Sequence, residues 1–224
     1  AAIKEALGTD VTMHTAEAYA EKLRAFLPRH QAENGFQIIT GDAARAAAEY
    51  AAKTAYKETD AATYQAMEAL VHNLNTMNSR AGAQVPFSSL NYGTDTSPEG
   101  RMAVHNLLRA TEAGLGDGET PIFPVQIFKV KEGVNYNEGD PNYDLFRHAL
   151  RCSAKRLFPN FSFLDAPFNL QYYKPGDYNT EVAYMGCRTR VMGNVFDNTK
   201  EVTCGRGNLS FTSINLPRIG IEAK

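Results

Sequence analysis

The sequence predicts an α/β fold built around a mainly parallel sheet. From about residue 84 onward, short segments rich in β-forming residues alternate with amphipathic helical segments, an order that is typical of parallel sheets. The chain has 224 residues, of which 43% are hydrophobic, so it is long and apolar enough to bury a core. The first 77 residues lack the alternation and predict mostly helix.

Helical patterns dominate this first part of the chain. Apolar residues three or four positions apart predict amphipathic helices over 16–27 and 42–56. The apolar run 35–41 between them fits either a short strand or a loop that enters the core. The pair Thr59-Asp60 predicts the start of a third helix that ends near Asn75. Its apolar positions share one face and are predicted to be core: Tyr64, Met67, Leu70, Val71 and Leu74.

The rest of the chain predicts the sheet and its helices. The elements are, in order, a strand over 84–91, a helix over 98–115, a strand over 122–130 and a helix over 142–157. Gly114 and Gly116 end the first of these helices, since glycine is favoured at helix C-termini. A segment from Glu181 to Met192 then leads into a turn, and the apolar stretch 209–221 predicts a buried strand.

Charge and composition exclude several classes of protein. The net charge is −2, whereas nucleic-acid and anionic-membrane binders usually carry a broad positive field. The apolar runs are too short for a transmembrane helix, which needs roughly 20 residues, and the start has no secretory signal. Three cysteines without a CxxC pair argue against disulfides and a zinc ribbon, and favour the cytoplasm. Because the chain begins with Ala1, we expect it to be part of a longer polypeptide.

The hexapeptide MGCRTR, from Met185 to Arg190, is the most unusual local feature. Cys187 follows a glycine and precedes two arginines. By local pattern, Cys187 is either a small buried hydrophobic residue or a thiol whose pKa the arginines lower. None of the five histidines lies in a recognisable partner motif for a Cys/His nucleophile. Asn208, in the later GRGN segment, belongs either to a plain turn or to a polar site.

Three other motifs have structural interpretations. The glycine-rich segment 114–119 lacks the GK[ST] of a P-loop and predicts a helix end and turn. The segment 139–144 lacks the spacing of a calcium loop and predicts a helix entry. The pair Lys155-Arg156 is predicted to compensate the dipole of its own helix.

Five long runs occur in an order that is more specific than any single motif. They are NTMNSRAGAQVPFSSLNYGTDTS (75–97), GLGDGETPIFPVQIFKVKEGVNYNEGDPNYDLF (114–146), SAKRLFPNFSFLD (153–165), AYMGCRTRVMGN (183–194) and GRGNLSFTSINLPRIGIEAK (205–224). The chain therefore resembles the anaerobic, class III ribonucleoside-triphosphate reductases, which are glycyl-radical enzymes. The resemblance runs from about Asn75 to the end, and the helical first third is less distinctive.

The resemblance implies a fold and a domain arrangement. The family fold is a ten-stranded α/β barrel with a finger loop through its centre, and MGCR resembles the tip of that loop. Residues 78–224 would then form part of the barrel, with the finger loop around 181–194. Residues 1–77 would form a helical segment on the side of the dimer contact and the allosteric effector.

The resemblance also implies roles for three residues. Cys187 matches the cysteine that becomes a thiyl radical and takes the 3′-hydrogen of the substrate ribose. Met185 matches a methionine that lines the radical site, and Asn208 matches an asparagine near the ribose hydroxyls. An amide cannot shuttle a proton, which is consistent with formate as the reductant. Arg188 and Arg190 are then expected to be structural.

The partners and cofactors follow from the same resemblance. We expect ribonucleoside triphosphates as substrates, ATP and deoxynucleotides as effectors, a radical-SAM activase and a homodimer, without nucleic acid or membrane. The glycyl radical, the zinc site and an upstream cysteine are expected outside these residues. Neither Cys152 nor Cys204 can replace that cysteine, and the chain alone should be inactive.

Two alternatives remain open from the sequence. A different glycyl-radical enzyme would share the barrel, but its loop typically carries adjacent cysteines, unlike the single Cys187. A non-catalytic nucleotide-binding or assembly module would bind deoxynucleotides without using Cys187.

Overall fold

A computed structural model describes residues 42–79, 81–171, 173–186, 189–191 and 213–223. Its helices are α1 (Asp42–Thr76), α2 (Pro98–Ala113), α3 (Tyr143–Arg156), α4 (Pro167–Leu170) and α5 (Leu216–Glu222). Its strands are β1 (Ser89–Tyr92), β2 (Val125–Val130), β3 (Asn160–Phe163), β4 (Ala183–Met185) and β5 (Thr189–Val191). The helix predicted over 16–27 and the apolar run 35–41 lie outside these residues.

The predicted parallel sheet is confirmed. Strands β1, β2 and β3 are neighbours in that order and pair in parallel. Asn91 of β1 lies opposite Ile127 of β2, and Phe128 lies opposite Phe161 of β3. Both paired strands β1 and β2 are shorter than predicted. Pro86 and Pro124 interrupt the predicted segments, because proline has no N–H to donate to a ladder.

The two faces of this sheet bury different partners. On the helix face, which carries Phe128 and Val130, the strands pack against Leu108 of α2 and Ala149 of α3. Gln126 is buried on this face with its amide satisfied, since its Oε1 accepts from Tyr92 Oη at 2.6 Å and its Nε2 donates to Thr111 Oγ1 at 2.8 Å. The opposite face, here called the hairpin face, carries Val125 and Ile127.

Helix α1 is continuous, so the predicted break at Thr59-Asp60 is wrong. Residues 43–76 contain neither glycine nor proline, and nothing therefore stops the helix. Asp60 does not cap a helix start; its Oδ1 accepts a hydrogen bond from Asn106 Nδ2 of α2 at 2.7 Å. The predicted core face is confirmed at Val71, which is 1% exposed and packs with Tyr64 and Met67.

Helices α2 and α3 agree with the sequence at most of their ends. Ser97 caps α2 by accepting from the amide of Gly100, and Gly114 ends it at a φ of 89°. Lys155 and Arg156 lie in the last turn of α3, as predicted, but the hydrogen bonds of Arg156 go elsewhere. Arg156 donates to the carbonyls of Glu112 and Ala113, at the C-terminus of α2 rather than of its own helix, and to that of Gly118 beyond it.

The last described segment is a helix where a buried strand was predicted over 209–221. Asn215 accepts from the amide of Arg218 and Pro217 lies in the first turn, both of which favour a helix start. Ile219 and Ile221 of this helix are 53% and 76% exposed. Among the described helices, none has the length and apolarity needed to cross a membrane.

Replacing Arg156 with alanine should lower the free energy of unfolding by about 1–3 kcal/mol, because the last carbonyls of α2 lose a charged donor. Urea unfolding followed by circular dichroism measures this change. The control is Arg151→Ala in the same helix, whose side chain is exposed and which should change stability by less than about 0.5 kcal/mol. Equal effects of the two variants would contradict the prediction.

Candidate functional site

Strands β4 and β5 form an antiparallel hairpin on either side of Cys187 in the sequence. Met185 pairs with Thr189, and Tyr184 pairs with Arg190. Gly186 follows β4 with a φ of 66°, a backbone conformation that glycine adopts without a steric penalty. Met185 is half-buried in β4. Cys187, Arg188 and Asn208 lie outside the described residues, so the structure describes only Met185 of the three predicted site residues.

Hydrogen bonds from β1 hold this hairpin on the hairpin face of the sheet. The side-chain amide of Asn91 donates to the carbonyl of Tyr184 and accepts from its N–H, both at 2.8 Å. The hydroxyl of Ser89 accepts from the amide of Gly186 at 3.1 Å. The ring of Tyr184 also packs against the apolar cluster of Val125 and Ile127. The backbone beside Cys187 is therefore attached to the sheet.

A buried ion pair attaches the chain just before β4. Lys129 Nζ of β2 lies 2.6 Å from Glu181 Oε1, and the two side chains are only 13% and 8% exposed. Among the described residues, Glu181 Oε2 has no hydrogen-bond partner, and neither has the buried hydroxyl of Ser162 on β3. Ser162 is the register partner of Lys129. The residues just before β4 therefore contact charged and polar side chains that are mostly buried.

The other strand of the hairpin contacts α4. The guanidinium of Arg190 lies 5.1 Å from the centre of the Phe168 ring. It also donates to Asn169 Oδ1 at 3.3 Å. Arg190 therefore binds the protein itself and holds β5 against α4.

A pocket lies at the carboxyl ends of β2 and β3, where parallel sheets usually bind ligands. Its empty volume, which includes open solvent, is about 230 Å³. The lining residues are Lys131, Leu164, Asp165, Asn169, Leu170, Tyr173, Glu181 and Val182. Sequence reasoning did not predict this pocket, although Lys131 directly follows β2 and Asp165 lies two residues after the end of β3. Among the described residues, no group of three His, Cys, Asp or Glu side chains could hold a metal.

Cys152 is a core residue rather than part of this site. It lies on α3, is 0% exposed and packs with Leu108 and Phe128. Burial and, to a smaller extent, the charge of Glu112 raise the pKa of its thiol to about 11, against the opposing charges of Arg156 and Lys155. Since the thiolate is the reactive form, Cys152 is chemically protected.

We expect Cys152 to react slowly with iodoacetamide in the folded chain. The rise in its pKa from 9.0 to about 11 makes the thiolate fraction at pH 8 about a hundredfold smaller. Peptide mass spectrometry of timed samples, with and without urea, measures the rate at this residue. Equal rates in the folded and unfolded chain would contradict the prediction.

Breaking the ion pair from one side should destabilise the protein. Lys129→Met leaves the Glu181 carboxylate buried without its partner, a loss of roughly 3–5 kcal/mol in the free energy of unfolding. The double variant Lys129→Met/Glu181→Gln removes the unpaired charge and should recover most of the lost stability. Urea unfolding measures both variants.

The control for this experiment is Lys155→Met. Lys155 is 55% exposed and lies 3.8 Å from Glu112, an exposed pair that should contribute less than about 1 kcal/mol. If Lys129→Met were no more destabilising than Lys155→Met, the ion pair would not anchor the hairpin.

Comparison with known proteins places this chain among reductases. The family model described as anaerobic ribonucleoside-triphosphate reductase matches residues 31–224. The enzyme of that name from Escherichia coli (strain K12) is 36% identical over 162 residues, which cover 72% of this chain and 22% of that protein. The enzyme from Enterobacteria phage T4 is 36% identical over 170 residues, which cover 75% of this chain and 27% of that protein.

The chain spans about a quarter of the length of the curated relatives it matches. The matched region includes β1 to β5 and the MGCR motif. The family model covers more than half of the chain and the identity exceeds 30%. This chain therefore belongs to the anaerobic ribonucleoside-triphosphate reductase family.

Proposed function

We propose that this chain supplies the finger-loop part of the catalytic barrel of an anaerobic ribonucleoside-triphosphate reductase, with Cys187 as the thiyl-radical residue. One observation carries the proposal. The MGCR motif begins at the last residue of β4, and three hydrogen bonds hold Tyr184 and Gly186 on one face of a parallel sheet. A radical cysteine needs such a fixed backbone, because its sulfur must meet one particular hydrogen of the substrate.

The sheet geometry supports the barrel that the family implies. Helices α2 and α3 cover one face of the sheet, while the β4–β5 hairpin covers the other. In a closed parallel barrel the helices lie outside, so the hairpin face becomes the interior. We propose that residues 78–224 form part of the ten-stranded barrel and that the finger loop spans about 181–194. Residues 1–77 would contribute to the dimer contact and the effector site.

The proposed reaction converts a ribonucleoside triphosphate into the 2′-deoxyribonucleoside triphosphate. Cys187 takes the 3′-hydrogen of the ribose and later returns it, while the 2′-hydroxyl leaves as water. Formate supplies the two electrons and is oxidised to carbon dioxide, so the balance is one formate and one proton consumed for each deoxynucleotide and water formed. A glycyl radical elsewhere in the polypeptide, installed by a radical-SAM activase, would supply the oxidising equivalent that Cys187 needs.

Two further residues have proposed roles near the substrate. The half-buried residue Met185 lies two residues before Cys187, and its thioether would provide a soft, weakly polar surface there. Asn208 would hydrogen-bond a ribose hydroxyl, since an amide donates and accepts but transfers no proton. The chain alone should not reduce nucleotides, because it spans about a quarter of its relatives' length.

The decisive variant is Cys187→Ala in the full-length, anaerobically activated reductase. We expect turnover to disappear while nucleotide binding stays within about twofold, because the change removes the hydrogen-abstracting atom and no binding group. Deoxynucleotide formation and equilibrium binding measure the two effects. The control is Cys204→Ala, which should keep its turnover.

Substantial turnover by Cys187→Ala would overturn the radical assignment. If the unsubstituted enzyme bound nucleotides but formed no deoxynucleotide under the same activation, a non-catalytic binding module would be the better account.

A further inference from the structure

We propose that Asn91 and Ser89 are positioning residues that fix the register of the finger-loop hairpin and thereby the height of Cys187 in the site. The inference rests on the proposed function, since it assigns these two residues a role in that reaction. Neither residue was singled out by the sequence. Both belong to β1 and neither needs to touch the substrate.

The alternation of side chains along β1 places both residues on the hairpin face. Leu90 and Tyr92 pack with Leu107 and Ala110 of α2 on the helix face. Because neighbouring residues of a strand point to opposite faces, Ser89 and Asn91 point toward the hairpin. On this face the adjacent strand β2 carries Val125 and Ile127. Two polar side chains beside such an apolar surface need hydrogen-bond partners.

Their partners lie on the hairpin with matching spacing. Asn91 binds the backbone of Tyr184, and Ser89, two residues earlier, binds the backbone of Gly186, two residues later. The two contacts therefore follow the antiparallel sense. A slip of one residue would move the hairpin by about 3.3 Å and break all three hydrogen bonds. The pair of contacts specifies a single register.

This register matters because Cys187 comes directly after Gly186. The amide of Gly186 is held 3.1 Å from Ser89 Oγ, so the fixed point lies one residue from the proposed radical cysteine. Hydrogen transfer requires the reacting atoms to lie about 3–3.5 Å apart, and a misplacement of about 1 Å can cost a hundredfold in rate. Loss of the hydrogen bonds from Ser89 and Asn91 to the hairpin should therefore lower kcat and leave substrate binding largely unchanged.

The test compares Ser89→Ala with Ser88→Ala. Ser88 is the adjacent residue, and its hydroxyl donates to the carbonyl of Pro86 at 3.4 Å rather than to the hairpin. In the chain itself, hydrogen exchange at the amide of Gly186 should become about tenfold faster in Ser89→Ala and stay unchanged in Ser88→Ala. Asn91→Leu, which nearly keeps the size of the side chain but loses both the donor and the acceptor to the Tyr184 backbone, should accelerate exchange at both Tyr184 and Gly186.

The catalytic part of the test uses the full-length, activated enzyme. We expect kcat of Ser89→Ala to fall about 10- to 100-fold with KM within about twofold, while Ser88→Ala matches the wild type. Ser89→Thr keeps the hydroxyl and should restore most of kcat, which a loss of packing alone would not do.

The outcomes separate this inference from the proposed function. Unchanged exchange at Gly186 in Ser89→Ala would overturn the proposal that Ser89 fixes the position of the hairpin. Unchanged kcat in Ser89→Ala, with Cys187→Ala inactive, would overturn the positioning role and leave the proposed function intact. Retained turnover in Cys187→Ala would overturn the proposed function itself.

Discussion

The burial of β2 on both faces is the constraint on which the rest of the structure depends. Phe128 and Val130 are 0% and 2% exposed on one face, and Ile127 is 2% exposed on the other. A strand in this position must pair on both edges and be covered on both faces, because an unpaired buried backbone group is costly. Strands β1 and β3 pair with its two edges. Helices α2 and α3 cover one face, and the β4–β5 hairpin packs on the other.

The two covers have different chemistry, which explains the division of roles. On the helix face, α2 and α3 bury a continuous apolar cluster, and the buried side chain of Gln126 has a hydrogen-bond partner for both its oxygen and its nitrogen. On the hairpin face, attachment relies on directional contacts: the Lys129–Glu181 ion pair and the hydrogen bonds of Asn91 and Ser89. Apolar packing tolerates small shifts, whereas hydrogen bonds fix distance and direction. The directional contacts lie where the proposed chemistry needs precision.

The sequence predicted the features that local rules determine. The alternation of strands and helices identified the parallel sheet, and Gly114 marked the end of α2 because capping depends on nearby residues. Sequence patterns did not predict contacts between elements that are far apart in the chain. Asp60 fits a helix cap by its type, yet its carboxylate binds Asn106 on another helix. Arg156 likewise binds carbonyls of a helix more than forty residues earlier.

The candidate site shows the same division. Resemblance identified MGCR, and the structure adds that Met185 lies in a hairpin strand. The roles of Met185, Cys187 and Asn208 are proposals, and Cys187 and Asn208 lie outside the described residues. Asn91 and Ser89 could not be found from local pattern, because their partners are 93 and 97 residues away in the chain. The polar alternation of the SLNY segment was the only signal that the sequence offered.

The attachment of the hairpin to β1 determines which of the residues involved can be substituted. All three hydrogen bonds run between side chains of β1 and the main chain of the hairpin. Every residue type except proline provides the same main-chain groups, so these bonds place almost no demand on the side chain at 184, whereas position 186 favours glycine because of its φ of 66°. The bonds place a strict demand on the side chains at 89 and 91. Apart from Gly186, the hairpin can therefore acquire new side chains for a different substrate or reductant while its attachment to β1 stays the same.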